Sequence, residues 1–359
     1  MAEESSDLLS FVASMAGEGT LRVEENLGDG FVRLRVAEAE RRQAKHDVRH
    51  VEDVVVELLR NARDAGARHI FVASSLSNGI RTIVVLDDGS GVPDHMRERI
   101  FDARVTSKLD SMHMDRWGVH GRGMALYSIR VNSQVAEVAA SGEGLGTSVR
   151  VVCDTSELPE RADQSSWPVL GTNDDGERAV VRGPHNIIRT CCEFGLEERG
   201  QVDVYVGSPS EIVATVRARI QASVPESRLL FMHGTEGLPL LDRLVLAGDA
   251  SELVETASAM GLEMSERTAH RIFSGQIVPL RSVAARLGRT PKQEDRPVDL
   301  MRDQRGLRVS KDDADAFARI MERDFRYLAE RYYLSLSADP RVRVGRDRIT
   351  VTFDLEKHE

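Results

Sequence analysis

Lysine is scarce in this 359-residue chain: 5 of its 48 cationic side chains are Lys and 43 are Arg. Any reaction that needs a lysine has few candidates here. Cysteine is scarcer, with Cys153, Cys191 and Cys192 forming an odd set without CxxC spacing or an adjacent histidine. That excludes a disulfide framework and points to structural thiols in a reducing compartment rather than a thiolate metal site. No apolar run reaches the roughly 18 residues a membrane span requires. The acidic start, "MAEESSDLLSFVASMAGEGT", lacks the basic stretch and apolar core of a secretory signal, so the expected location is cytoplasmic. Positive charge is also in deficit. A net charge of −10 argues against a nucleic-acid footprint over the whole surface and leaves only a local basic patch open. What remains is ordinary globular material, 41% hydrophobic and 30% charged, long enough for about two or three domains.

Along the chain, residues 1–48 read as a charged N-terminal arm. A helix is expected from about Val51 to Ala65, closed by Gly66, since glycine takes the left-handed conformation without steric cost. "HIFVASS" and "IRTIVVLD" flank an Asn-Gly turn and read as a hairpin. "PDHMRERIF" reads as a helix started by Pro93. After it, "DARVTSKLDSMHMDRWGVHGRG" is a glycine-punctuated loop of about 20 residues, a length at which function is to be suspected. The helix "MALYSIRVN" and the strands "SQVAEVAAS" and "GTSVRVVCD" complete a unit over 49–155. Helices on one face of a mostly antiparallel sheet make an α+β, two-layer α/β sandwich. A Ser-, Asp- and Pro-rich linker is expected over 156–180, a small α/β module over 181–245, and a mostly helical region ending in strands over 246–359. No internal repeat is visible.

Three segments carry candidate chemistry. In "VVVELLRNARDAGARHI", Glu57, Asn61 and Asp64 fall within about 60° on a helix wheel, at the edge of an apolar arc, while Arg60 and Arg63 lie outside both groups. In "LDDGSGVP", Asp87 ends a strand, and Gly89 and Gly91 permit close backbone approach and positive φ. A carboxylate buried there needs a donor, which the exocyclic amine of a base could supply. In "GVHGRGMALYSI", Gly118, Gly121 and Gly123 precede a helix, whose N-terminal amides form a ready phosphate site. Each segment also has a bland reading: a solvated stripe, a plain β-turn, a glycine-rich loop.

Taken together, these motifs resemble those of the gyrase, heat-shock chaperone, histidine kinase and MutL superfamily of ATPases (GHKL), whose nucleotide-binding unit is the Bergerat fold. The resemblance covers roughly residues 50–155. "ELLRNARDAGA" is similar to the N-box, "DDGSGVP" to the first glycine box, "GVHGRG" to the second and "GTSV" to the strand-borne Gly-Thr motif, while "VTSK" resembles the MutL branch. The resemblance implies ATP as ligand and Mg²⁺ as cofactor. It further implies Glu57 as general base, Asn61 as metal ligand, and Asp87 with Thr147 at the adenine beside Gly89 and Gly91. Gly118, Gly121 and Gly123 would line the phosphates, Lys108 would sit in a lid over them, and Arg122 could touch a phosphate. Asp64 fills the motif's usual acid position in a structural role. One amide oxygen plus phosphate oxygens suits the octahedral, partly hydrated shell of Mg²⁺. The implied activity is Mg-dependent ATP binding and slow hydrolysis, with lid closure and ATP-gated homodimerisation, in DNA mismatch repair-like or regulatory work with an unidentified protein partner.

Glu57 separates hydrolysing branches from the histidine kinases, which typically lack a base four residues before the Asn. The kinase alternative stays open because "HDVRH" (His46 to His50) faintly resembles a phospho-acceptor box, although it begins only about a dozen residues before the N-box. The transducer lysine of MutL and gyrase has no counterpart in a matching motif: downstream of residue 155 only Lys292, Lys311 and Lys357 occur. "LVETASAMGLEMSERTAHRIFSG" (Leu253 to Gly275) is expected to be a structural helical pair. A helix-turn-helix is its alternative, with a connection longer than that motif usually has.

Overall fold

The apolar alternation around the Asn-Gly turn becomes the spine of the molecule in a computed structural model of the chain. The structure describes residues 23–35, 38–106, 113–115, 118–120, 123–172, 178–222, 237–287, 311–344 and 349–357. It divides into two units, Met1–Thr290 and Pro291–Glu359.

The first unit begins with β1 (Val23–Gly28), β2 (Phe31–Leu34), α1 (Glu38–Asp47) and α2 (Val51–Asp64). The hairpin is β3 (His69–Ser77) and β4 (Ile80–Asp87), with positive φ at both Asn78 and Gly79. That is what a two-residue turn with right-twisted flanking strands demands. Strands β5 (Val105–Thr106), β6 (His113–Asp115) and β7 (Gly118–His120) lead to α3 (Ala125–Asn132), β8 (Val135–Gly142) and β9 (Gly146–Asp154). Next come β10 (Val169–Thr172), β11 (Arg178–Arg182), α4 (Ile187–Glu197), β12 (Asp203–Gly207) and α5 (Pro209–Arg219). Four further helices are α6 (Leu240–Leu246), α7 (Ala250–Ala259), α8 (Glu266–Phe273) and α9 (Val283–Leu287).

The central sheet has the order β12-β3-β4-β9-β8, antiparallel except that β12 runs parallel to β3. Strand alternation divides its side chains between two cores. Ile70, Val72, Ile83, Val85, Val149 and Val151 pack with Val54, Val55, Leu58 and Leu59 of α2 on one face. Phe71, Ala73, Val84 and Leu86 meet Ile212, Leu240, Leu244 and Leu253 on the other. The α/β sandwich therefore stands, and the later chain adds to it a strand and a second layer of helices. Residues 181–245, read from the sequence as a module of their own, are not set apart: β12 is an edge of the central sheet, and α5 and α6 lie on it. Phe71 of β3 and Tyr205 of β12 stack at 4.8 Å across that join.

Local expectations fare unevenly. The capping box at Ser208 is present, with Glu211 Oε2 accepting from the Ser208 amide at 2.9 Å. Gly66 has φ of +75° and closes α2. The segment "PDHMRERIF" is not one helix but two short 3-10 turns, Asp94–Met96 and Arg99–Phe101, broken so that Met96, Ile100 and Phe101 can all reach the core. Nor is the N-terminal arm separate over its described part: β2 pairs with β5, and α1 packs against α3. The pair α7–α8 turns its apolar side to the sheet through Leu253, Ala257, Ala269 and Ile272, and Ser148 Oγ donates to the Met260 carbonyl at 2.7 Å. The structural reading of that pair is the one this packing favours.

The second unit holds α10 (Lys311–Tyr332), β13 (Leu334–Leu336), β14 (Arg341–Val344), β15 (Ile349–Thr352) and β16 (Leu355–Lys357), with β13 paired to β16 and β14 to β15. Phe325 and Phe353 stack at 5.1 Å within it. Among the described residues no helix is long and apolar enough to cross a membrane.

Candidate functional site

Helix α2 lies across one sheet face with one side of its wheel over the C-terminal end of β4. There a cavity of about 330 Å³ opens, and Asn61, Asp64, Asp87, Gly91, Thr147 and Leu126 are among the residues that line it. That volume is at the small end of the roughly 300–1,000 Å³ typical of ligand sites. Phe31, Leu58, Val85, Val92, Ile100 and Val149 make its walls largely apolar.

Asp87 is its chemical centre. The last residue of β4, it pairs in register with Thr147 of β9 and is only 5% exposed. Its Oδ1 accepts from the Gly89 amide at 2.8 Å. Burial lifts the carboxyl from 3.8 to about 7, against the pull of the amide hydrogen bonds, because low-dielectric surroundings disfavour the charged form. The neighbouring Asp88 has the opposite balance. Burial raises it too, but the His69 ring, at 2.7 Å, and the Arg68 and His69 amides outweigh burial and hold it below its ordinary range. The Asp88 hydrogen bond in turn raises His69.

Glycines clamp this corner. At Gly89 a methyl group would stand 2.9 Å from both the Ala65 carbonyl oxygen and its side chain, so the turn can press onto the end of α2. Positive φ occurs at Gly91 and Gly146, where a side chain would overlap the carbonyl oxygens of Gly142 and Asp87 respectively. Only glycine permits that approach. Ser141, which no sequence motif singled out, ties the clamp together. Its Oγ accepts from the Val92 amide at 2.7 Å, donates to the Gly146 carbonyl at 2.9 Å and lies 3.4 Å from Thr147 Oγ1, while its own carbonyl accepts from Arg97.

Asn61 sits across the cavity from this corner. Among the described residues its buried amide nitrogen has no hydrogen-bond partner. Unpartnered buried polar atoms are uncommon enough to need a reason, and a ligand is one. Glu57 lies one turn earlier on α2, outside the cavity lining, and accepts from Arg60 Nη1 at 2.7 Å. Asp64 accepts from Arg63 Nε at 3.0 Å, and Arg63 reaches Glu198 at the same distance.

The two arginines correct the helix wheel. Read as lying outside both the polar stripe and the apolar arc, Arg60 is buried and Arg63 mostly so. Distant chain meets this side of the helix: Pro159 accepts from the Val51 amide, Arg161 donates to Glu52, and Glu198 takes Arg63. No periodicity within residues 51–64 signals that cover.

The second glycine box is only partly placed. Gly118 pairs with Asp115 in the β6–β7 hairpin. Gly123 has positive φ, its carbonyl accepts from the Arg104 amide at 2.8 Å, and a methyl group there would come 3.0 Å from the Val105 carbonyl oxygen. Gly123 is not among the residues that line the cavity. Lys108, Gly121 and Arg122 lie outside the described residues. All three cysteines are buried and free, with burial pushing Cys153 up to about 11 and Cys192 up to about 12, as expected of inert structural thiols. No group of three or more His, Cys, Asp or Glu residues suited to a metal occurs among the described residues.

Comparison with known proteins falls on this same region. The profile of the family described as "Histidine kinase-, DNA gyrase B-, and HSP90-like ATPase" matches residues 46–157. DNA mismatch repair protein MutL of Thermus aquaticus is 43% identical over 81 residues, which are 22% of this chain and 15% of that protein. MutL of Acidiphilium cryptum is 36% identical over 107 residues, 30% of this chain and 18% of that protein. The match thus spans less than a fifth of either relative's length. Among solved structures, one titled "Crystal structure of ShkA full-length in complex with AMPPNP" aligns with 16% identity and a TM-score of 0.23, over 80% of this chain and 66% of that one. That likeness is too slight to inform the fold.

Proposed function

We propose, from a chain whose residues 46–157 form a domain of the histidine kinase-, DNA gyrase B- and HSP90-like ATPase family, that this protein binds ATP with Mg²⁺ and hydrolyses it slowly. The observation that supports this best is the pairing of a buried acceptor with an unpartnered buried amide across one small cavity: Asp87 on the sheet and Asn61 on the helix. A base that offers an exocyclic amine satisfies the first, and the metal–phosphate end of the same nucleotide satisfies the second.

In this reading Asp87 accepts from the adenine amino group, with Thr147 assisting, and Gly89 and Gly91 let the base lie against the backbone. The apolar walls exclude water from the ring. As it stands, the Asn61 Nδ2 could donate to a phosphate oxygen; with the amide turned over, its oxygen would be available as one ligand for Mg²⁺. Bound Mg²⁺ would neutralise phosphate charge. Glu57 takes a proton from a water molecule as its oxygen bonds to the γ-phosphorus; the bond from that phosphorus to the bridging oxygen breaks, and ADP leaves with the electron pair. Gly118, Gly121, Gly123, Lys108 and Arg122 belong to the phosphate-facing segment in this proposal.

The expected output is ATP-gated self-association acting on a protein partner, in repair-like or regulatory work; the MutL relatives motivate the first of these. Phosphate release from ATP, with and without Mg²⁺, tests the activity. The kinase alternative would instead give a phosphoprotein that is stable in base and labile in acid, without steady turnover. A rise in solution mass with a non-hydrolysable ATP analogue, and none with ADP, tests the gating.

A further inference from the structure

We propose that Arg60 is a positioning residue for Glu57, holding the carboxylate in the orientation from which it takes the proton of the attacking water; this rests on the hydrolytic reading above. The side chain of Arg60 is only 3% exposed, yet it carries a charge. Burying a guanidinium is costly unless an anion accompanies it. Its Nη1 stands 2.7 Å from Glu57 Oε1, in the charge-assisted range.

The direction of this contact matters. With 100° between successive helical residues, Arg60 falls about 60° to one side of Glu57, whereas Asn61, Leu58, Ala62 and Ala65 fall on the other. Those four line the cavity and Arg60 does not. The arginine therefore supports Glu57 from behind, relative to the nucleotide. It shares its flank of α2 with Glu52 and Arg63, both fixed by later chain: Glu52 through the Arg161 amide at 3.1 Å, Arg63 through Glu198 at 3.0 Å. This flank is therefore built rather than solvated. An isolated glutamate has three side-chain torsions to lose before it can act. The contact with Arg60 removes part of that freedom before the substrate arrives.

The test compares Arg60→Met, Arg60→Lys, Glu57→Gln and the Glu57→Gln/Arg60→Met double variant with wild type, reading kcat, KM, ATP affinity and melting temperature. A displacement of about 1 Å in a reacting group can cost roughly a hundredfold. Arg60→Met is accordingly expected to lower kcat by about 10–100-fold with ATP affinity within about twofold of wild type. Arg60→Lys should recover part of the loss. The double variant should be no slower than Glu57→Gln alone, because the proposed contribution of Arg60 to turnover passes through that carboxylate. If Arg60→Met fails to accumulate, Arg60→Gln supplies the same comparison.

Wild-type or faster turnover in Arg60→Met, or losses that multiply in the double variant, would overturn the assignment. A fall in ATP affinity matching the fall in kcat would do so too, making Arg60 a structural ion pair. A wild-type protein without ATPase activity, or one indifferent to Glu57→Gln, removes the hydrolytic reading itself and this assignment with it.

Discussion

Asp87→Asn should make the protein more stable and a poorer ATP binder at once. In the folded chain burial raises the carboxyl from 3.8 to about 7. The unfolded chain therefore releases its proton near pH 4, while the folded chain keeps it until about pH 7. Between those values the native state binds more protons than the unfolded state, so stability falls as pH rises. The slope is about 1.4 kcal/mol per pH unit for one group. Over a shift of roughly three units the cost reaches about 4 kcal/mol above pH 7, as an order of magnitude. Asparagine has nearly the same shape, can still accept from the Gly89 amide and carries no charge to bury. Urea unfolding should therefore find the variant close to wild type at pH 4 and more stable by a few kcal/mol at pH 8.

Binding should move the other way. With its oxygen on the Gly89 amide, the asparagine turns an NH₂ toward the adenine amine, and a hydrogen bond to a charged acceptor is lost. Such bonds contribute about 1.5–3 kcal/mol, or roughly 10- to 150-fold in affinity. Calorimetric titration with ATP and Mg²⁺ at pH 8 measures it. Equal stability at pH 8 would show that the Asp87 charge is not being desolvated at a cost. Unchanged affinity would remove Asp87 from base recognition, whatever the stability does.

Asn61→Ala should abolish Mg-dependent ATP binding yet leave adenosine binding, which needs no metal, nearly intact; calorimetry with both ligands decides it. Glu57→Gln should bind ATP normally and lose about 10²–10⁴ in turnover, the usual contribution of a positioned base, by phosphate-release assay. Phe71→Ala, which removes a fully buried ring stacked on Tyr205, should cost about 3–5 kcal/mol in one unfolding transition that includes residues from both β3 and β12. The His69–Asp88 pair adds a second slope of the same sign as that of Asp87. A raised histidine contributes stability below its unfolded value that is lost as pH rises through its folded one. His69→Gln in the Asp87→Asn background should flatten what pH dependence remains near neutrality.

The site was legible where the physics is local. Asp87 and Gly91 stand in one turn, and Glu57 and Asn61 one helical turn apart, so these four can be singled out from sequence; Thr147 comes with the family resemblance, and the approach of Gly91 to the Gly142 carbonyl joins distant parts of the chain. The hairpin at Asn78–Gly79 and the capping box at Ser208 are equally local, and both form. Ser141 was not legible, because serine near a strand end has no pattern of its own and is distinguished only by the three groups that converge on it.

The two-residue alternation of β3 and β4, the apolar arc of α2 and the glycine turns between them are readable in the residues alone, since each follows from backbone stereochemistry and the removal of apolar surface from water. Sequence could not determine what covers each face, which depends on contacts between residues far apart in the chain. Phe71 and Val84 face a second layer of helices because residues 203–219 and 240–272 return to the sheet, which contacts far apart in the chain alone decide. Tertiary structure split "PDHMRERIF" into two turns, because three of its side chains had to reach one core. And it buried Arg60 beside Glu57, on a flank that the wheel left outside its apolar arc, where later chain closes over the helix and a charge, once desolvated, is held to the nearest anion.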